Sequence, residues 1–163
     1  MNTLNITDEF VAAHRAKDTV KIGELLSDKM QFTTLLGILG KRDYIDFAQA
    51  ITEAMPDLTF QIETLSQNNG DVLVNFGLEG THTKTFTLHA PGMKPLPPTH
   101  KKITLAPDLL HYKISGESHQ ITAIYPEPGH EGGVVYLLQA MGAKLPPLWI
   151  PRALNRLMRA FSN

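Results

Sequence analysis

Cysteine is absent from the 163 residues, which excludes a disulfide framework, a thiolate metal site and a thiol nucleophile together. An excess of one charge is also missing. Fifteen basic and sixteen acidic side chains leave a formal charge of −1, so no overall positive field exists to hold nucleic acid. No run of about eighteen apolar residues occurs, and no membrane partner is expected. The opening MNTLNITDEF carries neither a basic leader nor an apolar core, so a cytoplasmic protein is expected. The histidines are scattered without an HxxxH or HxH pair, and their spacing argues for no metal site.

What is present suits one domain. A hydrophobic share of 42% over this length supports a single core, since a chain of this size buries about 68 to 70% of its unfolded surface. Residues 1–145 are read as that domain and 146–163 as an extension. In the extension Leu154, Leu157, Met158 and Phe161 form a stripe opposite Arg152, Asn155, Arg156 and Arg159, which predicts an amphipathic helix packed on the domain or on a second subunit.

Local patterning places the elements. Thr7 before Asp8 and Glu9 predicts an N-cap and a helix to about Lys17. Asp18 is placed to cap a second, short helix that turns Val20, Ile22, Leu25 and Leu26 inward. Met30 to Leu39 reads as strand or buried loop. From Lys41 to Met55, apolar residues at three- and four-residue spacing predict a helix that Pro56 ends. The period then changes to two. Leu58, Phe60 and Ile62, then Val72, Val74, Phe76 and Leu78, flank Asn68-Asn69-Gly70-Asp71 and predict a hairpin. Continued alternation points His82 towards the core.

Four of the eleven prolines fall between His89 and Pro98, a stretch read as a crossing loop. Ile103 to Ile114 and Gln120 to Tyr125 are two more strands around Ser115-Gly116-Glu117, and Pro107 requires a bulge or an edge. PEPGHEGG is loop, and Val134 to Met141 is a helix closed by Gly142. Helices, a hairpin, a crossing and a second hairpin make an α+β chain. The expected architecture is a cone-shaped, curved antiparallel sheet wrapped around the N-terminal helices, with a pocket inside and an extra C-terminal helix.

Four strings sharpen this reading: Met55-Pro56-Asp57-Leu58, Gly80-Thr81-His82-Thr83, Pro98-Thr99-His100-Lys101 and Leu138-Gln139-Ala140-Met141-Gly142. In order and spacing they resemble the SnoaL-like polyketide cyclases, also called predicted ester cyclases, of the nuclear transport factor 2-like superfamily. The resemblance covers about residues 7 to 143. It implies a homodimer and an intramolecular aldol cyclisation run by an aspartate acid/base without metal or cofactor. Three positions depart from the pattern: Lys84 and His100 stand where the family has glycine, and the segment Tyr125 to Glu131 holds no aspartate. Glu127, His130 or Glu131 is left to replace it, with His130 closest in spacing.

Ring closure needs a base beside a carbonyl, donors for the enolate and an acid for the alkoxide. Asp108, sharing a face with Leu110 and Tyr112, and His130, beside a helix start, are the candidate acid/base residues. His82, Asn75, Tyr125 and Glu131 are the candidate substrate-binding residues. The expected function is a cofactor-independent cyclase or isomerase acting on a small apolar carbonyl compound. The alternative is a binding protein of the same fold that has lost catalysis.

Overall fold

The computed structural model describes residues 3–90 and 92–145, with side chains from Asn5 onwards; the expected C-terminal helix lies outside the described residues. Ten elements follow one another: α1 (Thr3–Arg15), α2 (Thr19–Leu25), β1 (Leu26–Thr34), β2 (Gly37–Leu39), α3 (Lys41–Ala54), β3 (Thr59–Asn68), β4 (Asp71–Thr81), β5 (Lys102–Ile114), β6 (Ile121–Pro126) and α4 (Gly133–Ala140). The strands form one open sheet in the order β2-β1-β6-β5-β4-β3. The α+β architecture is as expected, with one correction: the sheet is mixed, because β1 runs parallel to β6. Period-two patterning sets which face is buried and carries no information on which strand lies alongside.

The helices form where their apolar stripes require. Ile6, Phe10 and Ala13 of α1 are buried at three- and four-residue spacing. That stripe begins before Thr7, so α1 starts earlier than expected and Thr7 is a buried interior residue rather than its cap. Asp18 does cap α2, accepting from the Lys21 backbone N–H at 2.9 Å. Ile22, Leu25 and Leu26 face the core, while Val20, expected inward, is 73% exposed on the far side of the short helix. Along α3, Tyr44, Phe47, Ala48, Ile51 and Ala54 are buried.

Turns and close approaches fix the strands. Asn69 and Gly70, with φ of 47° and 81°, form the two-residue turn of the β3–β4 hairpin, where positive φ matches strand twist. At the end of α4, Gly142 takes φ 95° and the Ala143 N–H donates to the Leu138 carbonyl at 2.9 Å. The strings that carry the resemblance meet one another in space. Asp57 accepts from the Thr81 N–H at 2.7 Å and from its hydroxyl at 2.8 Å. The His82 N–H donates to Lys101 at 3.0 Å, and His100 donates back to the His82 carbonyl at 2.9 Å. Gly80 lies so close to Met55 that an added Cβ would come within 3.1 Å of that side chain. These residues form a structural junction that closes α3 onto the sheet.

The element that matters most for the site is a bulge in β5. Leu78 pairs with Leu105 and Phe76 with Asp108, so Ala106 and Pro107 together oppose Gly77. Pro107 has no N–H to donate and occupies the extra position, in the part of β5 that has no β6 partner. The additional residue shifts the phase of the strand by one. Ile103 and Leu105 face the helices before it, and Asp108, Leu110 and Tyr112 face them after it. Gly77 makes room: an added Cβ would lie 2.9 Å from the Leu105 carbonyl oxygen and 3.1 Å from Pro107. Backbone atoms cannot step aside as a flexible side chain would. Gly77→Ala is therefore expected to cost about 1 to 3 kcal/mol in urea unfolding. Gly116→Ala, with nothing within 4 Å, should stay within about 0.5 kcal/mol of the parent.

Candidate active site

Between the sheet and α1, α3 and α4 lies an open cavity of about 90 Å³. Its wall is mostly apolar, from Phe32, Phe47, Phe60, Phe76 and Leu110 among others. Phe60 and Phe76, 6.0 Å apart, belong to both halves of the core, so the cavity opens where the two halves meet.

Three sequence-predicted residues line it: Asp108, His130 and Glu131. The bulge turns Asp108 inward opposite Phe76, and the loop after β6 brings His130 over it. His130 Nδ1 is hydrogen-bonded to Asp108 Oδ1, which also accepts the Leu109 backbone N–H at 3.0 Å. A carboxylate needs a donor, so Nδ1 carries the proton and Nε2 is left with its lone pair. Neither His130 Nε2 nor Asp108 Oδ2 has a protein hydrogen-bond partner among the described residues. The pair is half-buried, with 40% and 31% of the side chains exposed, so solvent and ligand can both reach it. Glu131 folds back to accept the Gly129 N–H at 3.1 Å.

The other candidates lie elsewhere. Asn75 does not line the cavity, because Val74 and Phe76 on either side of it take the core face. Tyr125 is turned away by a register shift in β6: Ile121 pairs with Ile114 and Ala123 with Lys113, so Ile124 and Pro126 face inward in its place. On the outer face Tyr125 donates to Asp71, stacks on His111 at 4.8 Å and has its phenol pushed up to about 12 by the Asp71 bond. His111 bonds both Asp71 and Glu127. Burial works to lower His111, but those two carboxylates outweigh it and raise the imidazole above its ordinary value. His82 is fully buried at the structural junction, where its Nδ1 accepts the Thr99 N–H at 3.3 Å. Burial lowers it. Among the described residues no group of side chains is arranged to hold a metal ion, and no helix is long and apolar enough to cross a membrane.

Two cavity residues were not singled out from the sequence. His14 of α1 and Tyr44 of α3 line the wall and bond to each other at 2.9 Å. His14 Nδ1 lies 3.0 Å from the Phe10 carbonyl, which can only accept, so Nδ1 is protonated and Tyr44 donates to Nε2. Burial takes His14 from its ordinary 6.5 down to about 4 and raises the Tyr44 phenol well above its usual range. The signal was faint: His14 sits four residues after Phe10 in a stripe that also fits plain core.

A depressed histidine contributes stability that is present above 6.5 and lost as pH falls towards 4, because the unfolded chain then binds the extra proton. The gap from 6.5 to about 4 corresponds to about 3 kcal/mol for fully buried His14. His82 acts in the same sense. His111 acts oppositely, its stabilisation being lost as pH rises through its raised value. The stability difference between the parent and His14→Gln should therefore change by about 3 kcal/mol between pH 6.5 and 4 in urea unfolding; an unchanged difference contradicts a neutral, buried His14.

Comparison with known proteins agrees with the fold. No curated protein matches the sequence. Among solved structures the fold is similar to that of AclR from Streptomyces galilaeus, a candidate hydroxylase, at 17% identity and TM-score 0.64, covering 88% of this chain and 97% of that one. A candidate SnoaL-like polyketide cyclase from Jannaschia sp. CCS1 is similar at 16% identity and TM-score 0.63, covering 89% and 93%. IdmH from Streptomyces antibioticus, a candidate polyketide cyclase, is similar at 14% identity and TM-score 0.59, covering 84% and 99%. At these identities the likeness concerns the fold. The sequence itself matches the SnoaL-like polyketide cyclase model over residues 5–112, about two thirds of the chain, and the protein belongs to that family.

Proposed function

We propose that the protein is a cofactor-independent cyclase or isomerase that performs acid/base chemistry on a small, largely apolar carbonyl compound. The observation that carries this reading is the Asp108–His130 pair set in the wall of an otherwise mostly apolar cavity. His130 Nε2 is the proton carrier. It takes a proton from the carbon next to a ligand carbonyl, and the Asp108 carboxylate at Nδ1 stabilises the imidazolium that results. The electron pair of the broken C–H bond passes to the carbonyl as an enolate. In a ring closure the enolate carbon bonds to a second carbonyl carbon, and imidazolium returns the proton to the new alkoxide; in an isomerisation it returns to another carbon. Atoms balance without a co-reactant. His130 thereby fills the role for which the segment Tyr125 to Glu131 has no aspartate.

The apolar wall supports the substrate class. It favours a ligand with apolar surface to bury. We further propose a homodimer and a cytoplasmic setting, as family membership and the sequence features suggest.

Exchange of methyl protons of 2-acetylnaphthalene for deuterium, followed by NMR in D2O, tests the acid/base step without knowledge of the natural substrate. The expected result is protein-dependent exchange that falls by about 10² to 10⁴ in His130→Ala. A smaller loss is expected in Asp108→Asn, which can still orient the ring. Binding of the ketone with no exchange above buffer would favour the non-catalytic binding protein.

A further inference from the structure

We propose that His111, on the outer face of the sheet, is a positioning residue for the site on the inner face: through Glu127 it clamps the turn that carries His130. This role rests on the acid/base reading of His130. His111 itself does not line the cavity, so it acts only through that turn.

The clamp follows from the two partners of the ring. His111 Nδ1 lies 2.7 Å from Asp71 Oδ1, and Nε2 is bonded to Glu127 Oε2. Ionised carboxylates only accept, so both nitrogens carry protons, and the imidazolium bridges β4 to the residue that follows β6. The bridge is braced. The Tyr125 ring lies parallel to His111 at 4.8 Å, and its hydroxyl donates to Asp71 Oδ2. The charged groups around the ring are Asp71 of β4, Lys113 of β5, which pairs with Asp71 across the strands, and Glu127.

From Glu127 the link runs inward. The His130 N–H donates to the Glu127 carbonyl at 2.9 Å and closes a four-residue turn. Pro128 fixes φ at its second position and Gly129 takes φ 91° at its third, the pattern of a type II turn. A turn this stiff moves as a unit, so whatever holds its first residue places its last. The Glu127 N–H donates to the Leu109 carbonyl at 3.0 Å, and one backbone bond by itself is a hinge. The bond from His111 supplies a second point that stops rotation about it. The two ends of the turn are thus tied to β5 on opposite faces, Glu127 to His111 outside and His130 to Asp108 inside. Asp108 and His111 are three residues apart past the bulge, which is the spacing that puts them on opposite faces.

The His130 ring reports on the clamp in isotopically labelled protein without any ligand. Solvent exchange of its Nδ1 proton should be about three- to tenfold faster in Glu127→Ala and in His111→Phe, which keeps a ring to stack on Tyr125. It should return to the parent rate in Glu127→Gln, whose amide oxygen still accepts from His111 Nε2. The His14 Nδ1 proton, bonded to the Phe10 carbonyl in α1, is the internal control and should not change. An unchanged His130 rate in Glu127→Ala, or equal acceleration at His14 and His130, overturns the clamp. If His111→Phe does not fold, the two Glu127 variants decide. Labelling of a ketone at carbon reads the function separately. A parent that labels no ketone, with a His130 proton that follows Glu127, sinks the acid/base reading alone; a parent that labels ketone, with a His130 proton indifferent to Glu127, sinks the clamp alone.

Discussion

The site depends on one extra residue in one strand. β5 pairs with β4 along nearly its whole length but with β6 only from Leu110 on, and it contains Pro107, which cannot donate to the ladder. Placing Ala106 and Pro107 together opposite Gly77 resolves this and rotates everything downstream by one face. Without the bulge the face of Ile103 and Leu105 would continue through Pro107 and Leu109, and Asp108 would point outside with Leu110 and Tyr112. With it, the carboxylate enters the cavity and Tyr112 enters the core, where it packs edge-on against Phe10 at 5.4 Å. A packing device and the delivery of a titratable group are the same event.

Polar groups inside the cone are kept in pairs whose proton positions are set by a group that can only accept. Asp108 imposes the tautomer of His130, and the Phe10 carbonyl imposes that of His14 and, through it, the direction of the Tyr44 hydroxyl. The two pairs differ in exposure, which separates their chemistry. Half-buried His130 is open to ligand and solvent, whereas buried His14 stays neutral at ordinary pH. The outer face carries a third cluster, Asp71, His111, Tyr125 and Glu127, bound to itself by hydrogen bonds and stacking.

Much of this architecture was legible in the residues. The Lys41 to Met55 periodicity, the Asn69-Gly70 turn, the Pro107 irregularity and the Gly142 stop each have a local physical cause, and each element stands where that cause put it. Non-local features were not legible. The parallel pairing of β1 with β6 joins segments some ninety residues apart, and no local pattern encodes it. The same limit misplaced Tyr125, because an irregularity near Thr122 flips β6 without a proline to announce it. Asn75 was misplaced differently: its own alternation with Val74 and Phe76 already put it on the outer face. His14 and Tyr44 went unnoticed because residues that line a cavity and residues that fill a core share one helical spacing.

Three of the four strings that carry the family resemblance build the junction between α3 and the sheet, and none of the four lines the cavity. Membership therefore speaks for the fold, and the chemistry must be argued from Asp108 and His130. The most direct measurement is the ring nitrogen and proton spectrum of His130 in isotopically labelled protein, compared between the parent and Asp108→Asn. A proton held on Nδ1 in the parent, with a shift that moves when the carboxylate becomes an amide, is what an inward-turned Asp108 predicts. A proton on Nε2, or a His130 signal indifferent to Asp108→Asn, would contradict the account.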